Sequence, residues 1–187
     1  MNEEIKKAVN VLRAGGIILY PTDTVWGIGC DATNAEAVQK VYDLKRRADS
    51  KSLLVLTDAA AKIGTYIREM PSLAWDLIEL SDKPLTIIYS GAKNIAENLI
   101  DEDGSIGIRV TREAFSKKLC EAFRKPVVST SANVSGESTP GNFREISEEI
   151  INGVDYVVNF RRNEKEKAKP SGIIKIESGN KIKIIRQ

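Results

Sequence analysis

The sequence contains no histidine and only two cysteines, Cys30 and Cys120, among its 187 residues. Without an imidazole, a Ser-His triad, a thiol-imidazole pair and a Cys/His zinc site are all excluded. Two cysteines are also too few to form a disulfide framework. Any chemistry must therefore use Lys, Arg, Ser, Thr, Asn or Asp side chains.

Long apolar runs, a secretion signal and an excess of one charge are also missing. No run approaches the ~18 apolar residues that a membrane span needs. Residues 1–7 include acids where a signal peptide carries basic residues. The 28 basic and 26 acidic residues leave a net charge of +2, which does not predict a histone-like polyanion binder. We expect a cytoplasmic protein that makes no membrane contact.

The pattern along the chain alternates between helix and strand, as in an α/β fold. Apolar residues at helical spacing predict helices near residues 5–12, 37–44, 59–67, 73–80, 114–123 and 144–151. Short apolar runs predict strands near residues 16–20, 53–56, 85–89, 106–110, 126–129 and 154–158, and a closing hairpin from 173–176 and 182–185. We expect one domain over residues 1–187, built on a mixed sheet with flanking helices.

A glycine-rich stretch at residues 27–32 fits the pattern G-x-G-x-x-A, and Asp49 follows it. This is the fingerprint of dinucleotide binding, in which an acidic residue lies about 20 residues further on. In such a unit, however, the glycines turn directly off a strand, whereas residues 21–26 intervene here. The fingerprint is therefore weak, and a Walker A loop is absent.

Four cations and two hydroxyls lie together in residues 45–52. Cations at the C-terminus of a helix complement its macrodipole, which explains two of them at most. Lys, Arg and hydroxyl donors can also bind a triphosphate without a P-loop. Both interpretations stay open on residue types alone.

Two further segments combine a strand pattern with polar side chains. Residues 129–135 place four hydroxyls and an amide directly after an apolar strand. Ordinary loops use such residues, but this density at one sheet edge favours recognition of phosphates and nucleobase edges. In residues 105–110, alternation puts Arg109 on one face with Ser105 and Gly107. An arginine in the middle of a strand needs a partner, and we expect a carboxylate, which a substrate could supply.

Taken together, four motifs resemble the YrdC-like family, the threonylcarbamoyl-AMP synthases, in its short, single-domain form. They are residues 20–32 (YPTDTVWGIGCDA), the pair Lys45-x-Arg47, residues 106–110 (IGIRV) and residues 129–136 (STSANVSG). The resemblance implies a twisted open mixed sheet with flanking helices and a large basic concave cavity. It also implies a nucleotidyltransferase that condenses L-threonine, bicarbonate and ATP, with Mg²⁺, to threonylcarbamoyl-AMP and pyrophosphate. A threonylcarbamoyl-transferase complex would then modify tRNA.

The resemblance also assigns roles to single residues. Lys45 and Arg47 would be catalytic, holding the phosphates, and Mg²⁺ would be held mainly by the phosphates rather than by the protein. The other implied ATP-binding residues are Lys51, Ser105, Ser131, Asn133, Thr139 and Arg186. The implied threonine-binding residues are Thr24, Arg109, Ser129 and Ser171.

The sequence departs from the family pattern at three places. Lys51 stands where many members have asparagine, Leu56 where many have histidine, and residues 170–173 (PSGI) replace the usual Pro-Ser-Thr-aliphatic run. With no second domain expected, the charged segment 161–169 is the expected mobile lid. An RNA-binding or ribosome-associated paralogue without synthase activity is the alternative function. A carbamoyl-transfer module like that of hydrogenase-maturation proteins is a third.

Overall fold

The computed structural model describes residues 1–46, 53–177 and 179–187. The α-helices are α1 (Asn2–Arg13), α2 (Ala35–Leu44), α3 (Ser72–Leu80), α4 (Ala114–Phe123) and α5 (Glu148–Asn152). The strands are β1 (Ile18–Tyr20), β2 (Gly27–Gly29), β3 (Leu54–Thr57), β4 (Leu85–Ser90), β5 (Ser105–Val110), β6 (Val127–Ser131), β7 (Tyr156–Val157), β8 (Gly172–Glu177) and β9 (Lys181–Arg186). Short 3₁₀ helices cover Ala60–Thr65, Glu97–Leu99 and Phe143–Glu145.

Within the described residues, nine strands form one sheet in the order β7-β1-β2-β6-β3-β5-β4-β8-β9. The pairs β1/β7, β3/β5 and β4/β8 are parallel, and the other neighbours are antiparallel. The predicted open mixed sheet with flanking helices is therefore confirmed. None of the helices that the structure describes is long and apolar enough to cross a membrane.

The two faces of the sheet carry separate cores, because successive strand residues point to opposite sides. Leu56 and Val127 pack with helices α1 and α4 on one face. Val55 and Val128, their chain neighbours, pack with α2 on the other face. Leu54 and Ser129 pair across β3 and β6. By the same alternation, they share the face of α1 and α4.

Side chains at the helix starts explain where the helices begin. The Asn34 carboxamide accepts hydrogen bonds from the backbone N–H groups of Glu36 and Ala37 at the start of α2. The Glu113 carboxylate does the same for Phe115 and Ser116 at the start of α4. Each cap satisfies donors that the first turn of a helix leaves open.

Three predicted elements differ in detail. The helix predicted near 59–67 is a 3₁₀ helix, Ala60–Thr65. The helix predicted near 144–151 is divided, because Ile146 is extended and Ser147 caps a new helix, α5. The strand predicted near 154–158 is reduced to the two residues of β7.

The glycines of the dinucleotide-like stretch lie inside strand β2 rather than in a turn. A Cβ at Gly29 would come within 2.6 Å of both Tyr20 Cε1 and the Val128 carbonyl oxygen. Close packing in the sheet therefore explains this glycine, and the dinucleotide interpretation is wrong. Asp49, its predicted acidic partner, lies outside the described residues.

Candidate functional site

A cavity of about 310 Å³ lies on the face of the sheet that also carries α1 and α4. Residues of β3, β4, β5, β6 and β8 form its floor, and the loop after β1 and the end of β9 complete its lining. The lining residues are Thr24, Val25, Gly27, Leu53, Leu54, Thr86, Ile88, Asp101, Gly107, Arg109, Ser129, Thr130, Ser131, Thr139, Pro170, Ser171, Ile173 and Arg186. This volume suits a small-molecule ligand.

One wall is built around Arg109 on β5, whose side chain is only 3% exposed. Its NH2 group lies 2.9 Å from Asp23 Oδ1 and donates a hydrogen bond to Thr24 Oγ1 at 3.2 Å. Its Nε is buried and has no hydrogen-bond partner among the described residues. The predicted carboxylate partner of Arg109 is therefore present, and it is Asp23.

The charges on this wall are costly to bury. Burial raises the pKa of the Asp23 carboxyl, and the adjacent Arg109 cation opposes that rise. Burial and the nearby Arg109 cation both lower the pKa of Arg186, which lines the same cavity. Two partly desolvated cations facing one cavity favour an anionic ligand there.

A chain of hydrogen bonds positions the opposite side. Arg186 Nε donates to the carbonyl oxygen of Ser171 at 2.9 Å. The hydroxyls of Ser171 and Thr86 lie 2.9 Å apart. Strands β4 and β8 are parallel neighbours, and the Pro84 carbonyl accepts from the Gly172 N–H beside this point. The edge strand β9 therefore places its arginine at the cavity.

Lys45 follows α2 and supports the segment after β6. The Lys45 residue is 2% exposed, and its ammonium donates to the carbonyl oxygens of Ser131 at 2.7 Å and Asn133 at 2.6 Å. The Asn133 amide donates in turn to the carbonyls of Val134 and Glu137. Lys45 thus contacts the predicted Ser131/Asn133 motif through the backbone carbonyls of these two residues.

The residues predicted for the site fall into three groups. The cavity is lined by Thr24, Arg109, Ser129, Ser131, Thr139, Ser171 and Arg186. Lys45, Asn133 and Ser105 are buried beside it without lining it; the Ser105 hydroxyl donates to Asp103 at 2.5 Å. Arg47 and Lys51 lie outside the described residues.

The segment predicted to be a mobile lid, 161–169, is anchored at both ends in the structure. Arg161 donates to the Thr22 carbonyl at 3.0 Å and lies 3.3 Å from Glu113. The Ala168 N–H donates to the Gly141 carbonyl at 3.0 Å. These contacts place the segment against the loop that carries Thr24. Its mobility stays a prediction.

Sequence reasoning missed three polar residues of the site: Asp23, Thr86 and Asp101. Asp23 stands between two threonines in the family motif, so the motif itself was a usable signal. Thr86 shares a face with Arg109, because the two are paired across β4 and β5. Asp101 lines the cavity from the turn before β5, and nothing in its local sequence marks it.

Known proteins of one family match most or nearly all of this chain. A family model for Sua5, YciO and YrdC proteins, described as telomere recombination, matches residues 10–187. The threonylcarbamoyl-AMP synthase of Pseudoalteromonas translucida is 33% identical over 83% of this chain and 84% of its own length. That of Vibrio parahaemolyticus is 31% identical over 99% of both chains.

Solved structures show the same fold. P. abyssi Sua5 complexed with L-threonine has a TM-score of 0.87 and 20% identity, over 100% of this chain. This chain spans only 54% of that protein, about half its length. E. coli YciO has a TM-score of 0.86 and 24% identity, with 100% of this chain and 90% of YciO covered.

Proposed function

The chain belongs to the Sua5/YciO/YrdC family, and from this membership we propose that it is an L-threonylcarbamoyladenylate synthase. Its substrates are L-threonine, bicarbonate and ATP, and its products are threonylcarbamoyl-AMP, pyrophosphate and water. Full-length relatives that carry the synthase name at 31% identity support this activity. The observation that carries it is that two arginines, the buried Arg109 and the exposed Arg186, line one cavity together with several hydroxyls.

The reaction consists of two bond-forming steps. The threonine amine attacks the carbon of bicarbonate, an N–C bond forms, and water is lost to give a carbamate. A carbamate oxygen then attacks the α-phosphorus of ATP, and the bond from that phosphorus to pyrophosphate breaks. Neither step needs a protein nucleophile, so a protein without histidine can accelerate both by positioning and electrostatics.

Threonine is assigned to the wall around Arg109. Arg109 lines the cavity beside Thr24, to which its NH2 group donates a hydrogen bond. A substrate carboxylate is the natural acceptor for a forked cation. The P. abyssi Sua5 structure was solved with L-threonine, which supports an amino-acid site in this fold.

ATP is assigned to the region of Arg186, Thr139 and Ser131, which line the same cavity. Lys45 and Asn133 shape this region through the segment after β6. Arg186 carries a positive charge that can stabilise negative charge on the phosphates as pyrophosphate departs. Lys45 is thereby a support for the nucleotide region as well as a predicted phosphate cation.

The donor set fits a Mg²⁺ ion that enters with ATP. No group of three His, Cys, Asp or Glu side chains among the described residues could hold a metal ion. Asp101 is the one carboxylate in the described cavity lining. Mg²⁺ keeps water and binds substrate phosphates readily, so phosphate oxygens would be its main ligands, with Asp101 the available protein oxygen. Its chemistry is to neutralise charge on the triphosphate.

The product is a mixed anhydride and therefore an activated acyl donor. Its consumer would be a transferase complex that moves the threonylcarbamoyl group to tRNA. The short-lived anhydride would have to reach that complex by diffusion or direct hand-over.

The test is pyrophosphate release by the purified chain with ATP, Mg²⁺ and bicarbonate, with and without L-threonine, and with bicarbonate omitted. We expect release that requires both, with a product whose mass is that of threonylcarbamoyl-AMP. Arg109→Met should abolish the pyrophosphate release that depends on threonine. ATP binding without threonine-dependent release would overturn the synthase proposal and favour the non-enzymatic paralogue.

A further inference from the structure

We infer that Asp23 is a positioning residue for threonine, because its carboxylate holds the Arg109 guanidinium in the orientation that receives the substrate carboxylate. This inference rests on the proposed synthase function. It assigns a role to a residue that lies between two hydroxyls of the site motif and does not itself line the main cavity.

The first observation is the geometry of the ion pair. Asp23 Oδ1 lies 2.9 Å from the Arg109 NH2 group, and the two side chains are only 11% and 3% exposed. The same NH2 group donates to Thr24. The Arg109 NH2 group is thus held by an ion pair with Asp23 and by a hydrogen bond to Thr24. Among the described residues, Asp23 Oδ1 and Arg109 Nε are both buried without an aligned hydrogen-bond partner.

The second observation is a smaller cavity next to Asp23. It has a volume of about 120 Å³ and is lined by Asp23, together with Ser81, Asp82, Lys83 and Arg112. Arg109 lines the main cavity, and Asp23 lines the smaller one. The two partners of the ion pair therefore line different cavities.

This arrangement explains why a buried carboxylate is useful here. An arginine side chain has several rotatable bonds, and its orientation is fixed only if its donors are engaged. Without Asp23, the guanidinium would lose its ion pair and would keep only the hydrogen bond to Thr24. A buried ion pair is seldom a gain in stability, so fixing the guanidinium is a better reason for Asp23 than stabilising the fold.

Asp23 itself is held from two sides. The Thr22 hydroxyl accepts from the Thr24 N–H at 3.0 Å and donates to the Val25 carbonyl at 2.8 Å, which closes the loop around Asp23. Arg161 donates to the Thr22 carbonyl from outside. The carboxylate therefore has a fixed backbone from which to orient its partner.

The test compares Asp23→Asn with Asp82→Asn, a matched change of an exposed acid in the same small cavity. Threonine-dependent pyrophosphate release by the full chain gives KM for threonine and for ATP separately. For Asp23→Asn we expect KM for threonine to rise about tenfold or more, as for a lost coupling between contacting residues. KM for ATP should stay within about twofold of the wild-type value, because the residues assigned to ATP are unchanged. Asp82→Asn should leave both unchanged.

Asp23→Glu provides a second arm should Asp23→Asn fail to fold. It keeps the charge but extends the side chain by one methylene, so it should still raise KM for threonine. If Asp23→Asn folds and its KM for threonine equals that of the wild type, the inference is overturned. If Asp23→Asn does not fold, the same result for Asp23→Glu overturns it. An equal rise in both KM values does so too. Absence of threonine-dependent release in the wild-type protein instead overturns the proposed function, and this inference with it.

Discussion

The ammonium of Lys45 donates to the carbonyl oxygen of Asn133 across 2.6 Å, although the two residues are 88 positions apart in the chain. The same ammonium donates to the Ser131 carbonyl. The end of α2 is thereby fixed to the segment after β6 at the edge of the cavity. A lysine predicted to bind phosphate also has a structural task in this protein.

Lys45→Met should lower the free energy of unfolding by about 2 to 4 kcal/mol, because one buried and one partly buried carbonyl lose their donor. Lys40→Met is the matched control: Lys40 lies on α2, which ends just before Lys45, and its ammonium also donates to a carbonyl, that of Gly15, but Lys40 is exposed. Urea unfolding would measure both variants. Equal small losses would contradict the structural role of Lys45.

The helices and long strands could be predicted from the sequence because their side chains carry the pattern. Helix α2 has buried residues at helical spacing and the Asn34 cap, and both are visible in the sequence. Strand β2 was missed because two of its three residues are glycines, which have no side chain to show alternation. Strand β7 has only two residues, too few for any period.

The site could be predicted in part for a similar reason. Alternation in β5 placed Arg109 among residues facing one side and indicated a carboxylate partner. The identity of Asp23 as that partner depends on a contact between distant segments, which a local pattern does not contain. The Lys45 contacts were beyond prediction because their acceptors are backbone carbonyls, and every residue has one.

Arg186→Gln should raise KM for ATP several-fold, about 3- to 30-fold for a loss of one charge-assisted contact. The effect on KM for threonine should be smaller, since Arg109 is retained. Lys183→Gln, on the same strand and exposed, is the control for charge alone. The kinetics come from pyrophosphate release at varied ATP. A variant with unchanged KM for ATP would remove Arg186 from the nucleotide region.

Gly29→Ala should destabilise the protein by about 1 to 3 kcal/mol, as expected for overpacking. The added methyl would lie 2.6 Å from the Tyr20 ring and from the Val128 carbonyl oxygen, which the sheet holds in place. Gly64→Ala is a suitable control, because a Cβ there meets nothing within 4 Å. Thermal unfolding would compare the two. Equal midpoints would show that β2 can shift to admit the methyl group.

The contact between Glu4 and Tyr156 should make stability depend on pH. Burial alone would raise the pKa of the Glu4 carboxyl, but hydrogen bonds from the Tyr156 hydroxyl and the Asn159 N–H, together with Lys7, lower it below its usual value. A lowered pKa stabilises the folded state above the usual carboxyl pKa, near ~4.3, and this contribution is lost as the pH falls through the folded value.

On the alkaline side, burial and the hydrogen bond to Glu4 raise the pKa of Tyr156 to about 12. This contribution is complete below the usual tyrosine pKa, about 10, and is lost as the pH rises through the folded value.

The lowered pKa of Glu4 gives the acid-side test. Urea midpoints between pH 3 and 7 should fall less steeply with acid in Glu4→Gln than in the wild type. Glu3→Gln is the control, because Glu3 is an exposed acid one position earlier. Parallel acid slopes for Glu4→Gln and the wild type would show that the carboxylate does not anchor α1 to β7.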